Sequence, residues 1–362
     1  MKILFVGEAL SGFGGTETVI KKLTQFIEND TQEQHQYMLY FLCRNNKFDK
    51  TWLINKKTFF EYAKLNISFI RKMQYVNSLT KFIKNYQPDV IISFDITTCE
   101  LAAKAIKKTQ LSIPLVSWVH YSLEHKKHPE CVTYADYHFA ISRGIQQQLN
   151  KRGIANDKIF TIFNPVTNHS DAIARPDPNK PKTFIYIGRL KYEGQKRLKD
   201  MFDTFAQITG NWVLHIIGNG SDKALCQDYV MQLGIENKIK WHGWQPEPWD
   251  YVKKNIKQIN ALLLTSSFEG FGLVLVEAMS YGIYCISSDC PSGPADIIQN
   301  DINGKLYPLG ELDILRTEIT AIIDGKVLPS SEQIKISIKS FYDDEYYQNV
   351  KQRLHWIINH FN

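Results

Sequence analysis

No hydrophobic run in this chain is long. The first one, Ile3 to Val6, stops at Gly7-Glu8, far short of the roughly 18 residues that span a bilayer and without the form of a secretory signal. Cys43, Cys99, Cys131, Cys226, Cys285 and Cys290 include no Cys-x-x-Cys pair, so no disulfide framework is implied and the thiols read as free and buried in a reducing compartment. A cytoplasmic location is the expectation. The glycine-rich segment Ser11-Gly12-Phe13-Gly14-Gly15-Thr16-Glu17 carries Glu17 where a dinucleotide fingerprint needs glycine, and no Gly-Lys-Ser/Thr follows to make a Walker loop. His120, Glu124, His125 and His128 lack the spacing of a zinc site. No basic helix has a DNA-reading pattern, so nucleic acid is not an expected partner.

What is present is ordinary in bulk and uneven in distribution. The 362 residues are 44% apolar and 22% charged, the profile of a globular protein with two domains. Residues 1–170 hold 22 Lys+Arg against 14 Asp+Glu, and the remainder 21 against 23. A basic first half favours an anionic lipid surface or a phosphorylated acceptor. Its most basic part runs from Arg44 to Lys84. There Leu65, Phe69, Met73, Val76, Leu79, Phe82 and Ile83 recur at helical spacing among Lys64, Arg71, Lys72, Lys81 and Lys84, which predicts a helix or helix pair facing a membrane. The plainer alternative is a core-facing stripe with solvated lysines.

Along the chain, short apolar runs alternate with helical patterns. Strands are expected at 3–6, 37–42, 89–94, 115–120, 136–142 and 159–163, then at 183–187, 212–217, 239–241 and 261–264, with helices between several of them, which argues for two parallel α/β sheets. Pro176, Pro178 and Pro181 among polar residues mark 171–182 as a linker. The domains are then 1–170 and 183–340, followed by a final helix within 341–362.

The most informative stretch is Thr265 to Gly282, TSSFEGFGLVLVEAMSYG. It reads as strand end, glycine turn and helix start, with Glu269 and Glu277 eight residues apart. A helix start attracts anions through its unpaired N–H groups and dipole. The same chain carries Gly188-Arg189 with Lys196 seven residues on, Gly218-Asn219-Gly220, Trp241-His242-Gly243-Trp244, and Pro291-Ser292-Gly293-Pro294. This order resembles the donor domain of the retaining glycosyltransferases of family 4, and Gly14-Gly15-Thr16-Glu17 resembles their opening loop. Runs such as His125-Lys126-Lys127-His128 and Ser292-Gly293-Pro294-Ala295-Asp296 are similar to those of the bacterial lipopolysaccharide core α-1,6-galactosyltransferases. The similarity extends from the first strand to about residue 310.

The resemblance implies a GT-B fold, two Rossmann-like domains whose parallel sheets face a cleft, with the last helix crossing back to the first domain. It implies transfer of a hexose from a UDP-sugar, galactose foremost, to a lipopolysaccharide core at the cytoplasmic membrane face. Arg189 and Lys196 would relieve charge on the leaving diphosphate, a planar fork and a mobile point charge respectively. Glu269 would touch the donor sugar, as would His120, and Glu277 would hold the ribose hydroxyls. Gly14, Gly15, Gly188, Gly218, Gly243, Phe271, Gly272 and Leu273 complete the donor site, while Glu17, His125, Lys126 and Lys127 receive the acceptor. The spacing Gly194-Gln195-Lys196-Arg197 departs from the usual family pattern and leaves Lys196 and Arg197 as alternatives, with Lys196 preferred. No Asp-x-Asp triplet is present, so metal-independent transfer without a cofactor is expected. Competing readings are another UDP-hexose transferase, a glycoside hydrolase using two carboxylates, a GT-B epimerase, and a non-catalytic nucleotide-sugar or glycolipid binder on the same fold.

Overall fold

The structure, a computed structural model, describes residues 1–10 and 14–361. The chain forms two compact units, one of Met1–Pro165 with Asp343–Asn362 and one of Val166–Tyr342.

The first unit is built on a seven-stranded, all-parallel sheet. Its strands are β1 (Lys2–Glu8), β2 (Gln36–Cys43), β3 (Thr58–Tyr62), β4 (Val90–Ser93), β5 (Leu115–Val119), β6 (Tyr137–Ala140) and β7 (Ile159–Thr161), in the order β3-β2-β1-β4-β5-β6-β7. Five successive residues of β1 and all four of β4 are buried, because helices cover both faces and each strand must be apolar on both sides. Register follows from this: Leu4 lies opposite Met38 on one side and Ile91 on the other. Side chains set some helix starts. Asp95 accepts from the Thr97 amide at 2.8 Å to open the helix Ile96–Thr109, and Ser142 accepts from Ile145 at 3.2 Å to open Arg143–Asn150.

The basic segment holds one strand and one helix, not a helix pair. β3 sits at the sheet edge, with Phe59 and Tyr62 exposed and its other residues half-buried, while Ser68–Tyr86 is helical. The predicted apolar stripe divides: Val76, Leu79 and Ile83 are buried, whereas Leu65, Phe69 and Met73 are exposed.

The helix Asp343–His360 belongs to the first unit. Tyr347 donates to Asp30 at 2.9 Å, Lys351 reaches Asp30 at 3.1 Å and Glu33 at 3.2 Å, and Lys22 reaches Asp343 at 3.0 Å. Burial pushes the Asp30 carboxyl up, yet the hydrogen bonds from Tyr347 and Lys351 outweigh it and hold the group well below the usual carboxylate range.

The second unit has a six-stranded parallel sheet of β8 (Lys182–Ile187), β9 (Trp212–Ile217), β10 (Ile239–Gly243), β11 (Ala261–Leu264), β12 (Tyr284–Asp289) and β13 (Gly304–Pro308), ordered β10-β9-β8-β11-β12-β13. The boundary lies at 165/166, and the proline-rich stretch taken as a linker is part of this unit. Ile173 is buried, Ala174 bridges Gln258, and the Arg175 guanidinium donates to the Leu328 carbonyl at 3.2 Å. Prolines there direct an ordered segment along the unit's surface. All six cysteines are free and buried. Among the described residues, no helix is long and apolar enough to cross a membrane.

Candidate active site

In an open parallel sheet, the loops at the carboxyl ends of the two strands where the chain reverses direction across the sheet diverge and leave a crevice. In the second unit those strands are β8 and β11, and their loops carry Arg189, Lys196 and Glu269.

The two loops are sewn together by backbone acceptors. Thr265 Oγ1 donates to the Lys196 carbonyl at 2.9 Å, the Ser267 amide to the Gln195 carbonyl at 2.8 Å, and Ser267 Oγ to the Gly194 carbonyl at 2.7 Å. Ser288 Oγ, from β12, donates to the Ser266 carbonyl at 2.5 Å. Thr265 and Ser267 thus serve the neighbouring loop. Held in this way, Lys196 Nζ reaches Glu269 Oε1 at 2.5 Å, and Ser266 Oγ donates to the same oxygen at 2.6 Å. Both ionic side chains are largely buried, and one contact leaves the ammonium further donors.

Arg197 points elsewhere. It occupies the left-handed region, with φ 47°, and its Nε pairs with Asp200 at 2.6 Å. Arg189 is exposed, and its carbonyl accepts from the Tyr186 hydroxyl at 2.7 Å. The Tyr186 phenol is pushed well up, first by burial and then by Glu269, with Arg189 opposing. Both charges therefore act on one buried ring.

Gly272 precedes the helix Leu273–Ser280 with φ 88° and ψ 48°, a conformation that costs a side chain but not glycine. No side chain caps this helix, so its first N–H groups and dipole point toward the Glu269 turn with their positive end. Glu277 lies one turn in, where Trp249 Nε1 donates to its Oε2 at 3.1 Å. Trp249 was not foreseen. Its only sequence signal is Pro248, a helix-opening residue in front of an aromatic. The loops after β8, β9 and β10 meet through Gly188, Gly218 and Gly243: the Gly188 amide donates to Ile217 and the Gly218 amide to Gly243. A Cβ on Gly218 would fall 1.9 Å from the Gly188 carbonyl oxygen, so these glycines bring loop backbones together.

One expectation needs correcting. Phe271 was counted with the donor site, but its ring is buried and packs edge-on against Phe341 at 5.6 Å. Its bulk fills the core. Next to the tryptophan, His242 bonds the Tyr251 hydroxyl at 2.9 Å and His215 at 2.8 Å, and burial lowers His215 to about 4.

In the first unit the order reverses at β1 and β4. After β1, Ser11, Gly12 and Phe13 lie outside the described residues; Gly14 and Gly15 open the helix Gly15–Asn29. Glu17 is buried, with its carboxylate so close over Gly14 that a Cβ there would stand 2.7 Å from Oε2. His120 follows β5. Its ring is 8% exposed, packs against Trp118 at 4.3 Å, and is lowered to about 3 by burial, so it is neutral at physiological pH. Its Nε2 and Trp118 Nε1 are buried without a hydrogen-bond partner among the described residues, an arrangement that a polar ligand atom relieves. His125, Lys126 and Lys127 lie exposed on the loop after β5, where Lys126 Nζ sits 3.5 Å above the Tyr121 ring. Among the described residues one group, Glu33, His35 and His355, brings ligand atoms within 4.8 Å of one another. Lys351 already stands 3.2 Å from Glu33.

The model of the glycosyl transferases group 1 matches residues 170–340, and that of glycosyltransferase family 4 matches residues 13–168. The chain is 48% identical over 358 residues to a lipopolysaccharide 1,6-galactosyltransferase of Escherichia coli K12, covering 99% of this chain and 98% of that one. It is 47% identical to the enzyme of the same name from Salmonella typhimurium LT2, covering 96% and 97%. A solved structure of the lipopolysaccharide outer core galactosyltransferase WaaB superposes with a TM-score of 0.92 at 46% identity, over 98% of this chain and 99% of that one. With two Rossmann-like parallel sheets and this likeness along nearly its whole length, the chain belongs to the family of the lipopolysaccharide 1,6-galactosyltransferases, glycosyltransferases of family 4 with the GT-B fold.

Proposed function

We propose that the chain moves galactose from UDP-galactose to O6 of a glucose in a lipopolysaccharide core, with retention of configuration and without a metal ion. The observation that carries the chemistry is the Lys196–Glu269–Ser266 cluster beside the uncapped start of the 273–280 helix. Breaking the bond between the anomeric carbon and the diphosphate leaves its electron pair on a phosphate oxygen. Preorganised cations and N–H groups aimed at that oxygen lower the barrier. Lys196, Arg189 and the amides of Leu273 and Val274 supply them. Glu269 fixes the ammonium and faces the sugar, while Glu277, steadied by Trp249, takes the ribose hydroxyls. The acceptor oxygen bonds to carbon on the face from which UDP departs, and its proton passes to the leaving phosphate. No protein base is then required. His120 offers its unpartnered ring nitrogen to a sugar hydroxyl, and the 125–127 loop meets acceptor phosphate.

Galactose and the 1,6 linkage are brought to this chain by its full-length likeness to enzymes of that name. The test is a panel of UDP-hexoses against truncated core acceptors, with and without chelator, and assignment of the product linkage and anomer by NMR. Transfer from UDP-galactose to O6 with the α configuration, undiminished by chelator, is the expected result. Preference for another UDP-hexose, an inverted product or chelator sensitivity would each overturn its own part of the reading. Binding without turnover would favour a non-catalytic role.

A further inference from the structure

We propose that Glu33, His35 and His355 form a zinc-binding site that clips the helix Asp343–His360 to the turn before β2. Both elements belong to the first unit. The turn is fixed from within: Asp30 Oδ1 accepts from the Gln32 and Glu33 amides at 3.0 and 3.1 Å, and the His35 amide donates to the Glu33 carbonyl at 2.9 Å. On the helix, Lys351 and His355 are four residues apart and share a face. Glu33 Oε2 stands 2.9 Å from His355 Nε2 and 3.2 Å from His35 Nε2, and the three atoms lie within 4.8 Å of one another.

The His35 side chain is 3% exposed, yet among the described residues its Nε2 makes no hydrogen bond. A cation satisfies such a buried nitrogen. The Glu33 carboxylate is divided between two tasks, since Lys351 Nζ takes Oε1 at 3.2 Å and leaves Oε2 to the rings. His35 Nδ1 bonds the Met1 amino nitrogen at 3.1 Å, which orients the ring. With a cation on Nε2 the ring proton sits on Nδ1 and the amine accepts it in its neutral form, so binding releases a proton. Asp30 Oδ2 lies 4.0 Å from His35 Nε2. Lys351 is then shared between two carboxylates, Asp30 and Glu33, and a net negative charge remains beside the rings.

Donor type selects the ion. Zinc takes imidazole nitrogen and carboxylate oxygen at about 2.0–2.2 Å in a tetrahedron whose corners are about 3.3 Å apart, near the two distances found. Magnesium and calcium call instead for a shell of oxygens. The Glu33 and His355 side chains are 40% and 41% exposed, so an ion enters from solvent, water fills the fourth position, and the His355 ring is free to close the remaining edge. Tyr347, Lys351 and Lys22 already fasten this helix, so zinc adds stability to a fold that forms without it. The site shares no residue with the 188–197 and 265–277 segments and rests on no step of the proposed transfer.

The untagged full chain, stripped with chelator and dialysed, is titrated with zinc chloride without UDP-sugar or acceptor. Bound metal is counted by elemental mass spectrometry and the thermal midpoint is followed. One equivalent is expected, with a rise in midpoint of roughly 5–10 °C at a hundredfold excess of free ion over Kd, and no response to magnesium or calcium. His355→Ala should weaken zinc binding by about a hundredfold and erase the rise, while His355→Cys, which restores a zinc ligand, should recover it. The position is part-exposed, so the fold should tolerate both changes, and circular dichroism checks this. Absence of a zinc equivalent, an equivalent undiminished in His355→Ala, or an equal response to magnesium overturns the proposal. Turnover of His355→Ala should match the parent with and without chelator, which separates this test from that of the galactosyl reading.

Discussion

At the carboxyl edge of the second sheet, charges are paired and their loops are sewn together; at the same edge of the first sheet, a neutral ring nitrogen lies buried without a partner and a loop of histidines and lysines faces solvent. The loops of the Lys196–Glu269–Ser266 cluster are held by hydroxyls that donate to the Lys196 and Ser266 carbonyls, whereas His120 is fixed by packing against Trp118. Under the proposed function the contrast suits two different tasks. A leaving diphosphate is small and highly charged, and rigid donors stabilise it best because they need not reorganise when the charge appears. A branched glycolipid acceptor is large and chiefly polar, and is better met by an accessible surface. Rigidity thus belongs where charge develops.

That contrast is broken most sharply at Lys196. Lys196→Ala should lower kcat about a hundred- to a thousand-fold, with donor KM little changed, as steady-state kinetics at saturating donor will show. Glu277→Ala should act instead on donor affinity, weakening UDP binding by about 2–3 kcal/mol through lost charge-assisted hydrogen bonds, read by calorimetric titration. If the two variants have equal turnover at saturating donor, the division of roles fails.

A third experiment addresses the first sheet. The His120 imidazole has an ordinary value of 6.5 and is lowered to about 3 by burial. Between those values the unfolded chain holds the extra proton, so stability is intact above about pH 6.5 and drains away as pH falls toward 3. About 2 kcal/mol should be lost by about pH 5 on this account, and His120→Asn should make the decline shallower by that amount in urea titrations. An unchanged slope would mean that the ring is not held neutral. Trp249→Phe sharpens the comparison within the second unit. Losing the 3.1 Å bond to Glu277 should raise donor KM by roughly fivefold with kcat preserved, about 1 kcal/mol. The smallest effect is expected for Lys126→Ala with Lys127→Ala, a roughly two- to fourfold rise in acceptor KM that fades at high salt, because exposed charges are screened.

Much of the architecture was legible because parallel sheets buried on both faces spell continuous apolar runs, as Ile3 to Val6 and Ala261 to Leu264 do. β3 escaped notice because Thr58–Tyr62 is a partly exposed edge strand in a lysine-rich context. The domain boundary was misplaced for a related reason. Prolines at 176, 178 and 181 look like a tether, while the burial of Ile173 and the pairing of Ala174 with Gln258 depend on residues far along the chain. In the site, the glycine turn, Glu269, Glu277 and Lys196 follow a readable spacing. Lys196 and Arg197 reach different partners, Glu269 and Asp200, a divergence that rests on one left-handed residue that no pattern announces. Trp249 and Glu277 are 28 positions apart, and a contact of that kind is written only in three dimensions. Phe271 lies between two glycines of the turn, and the packing that turns its ring inward against Phe341 involves a residue 70 positions away.

The first unit takes its last helix from Asp343–His360, after the whole of the second. During synthesis, therefore, Asp30 and Glu33 emerge from the ribosome more than 300 residues before Lys351, the cation that pairs with both. The later unit can complete its sheet while the earlier one still waits, an inversion of the usual N-to-C order of folding. A nascent chain arrested before residue 343 should accordingly protect the second unit from protease and leave the first one open to it.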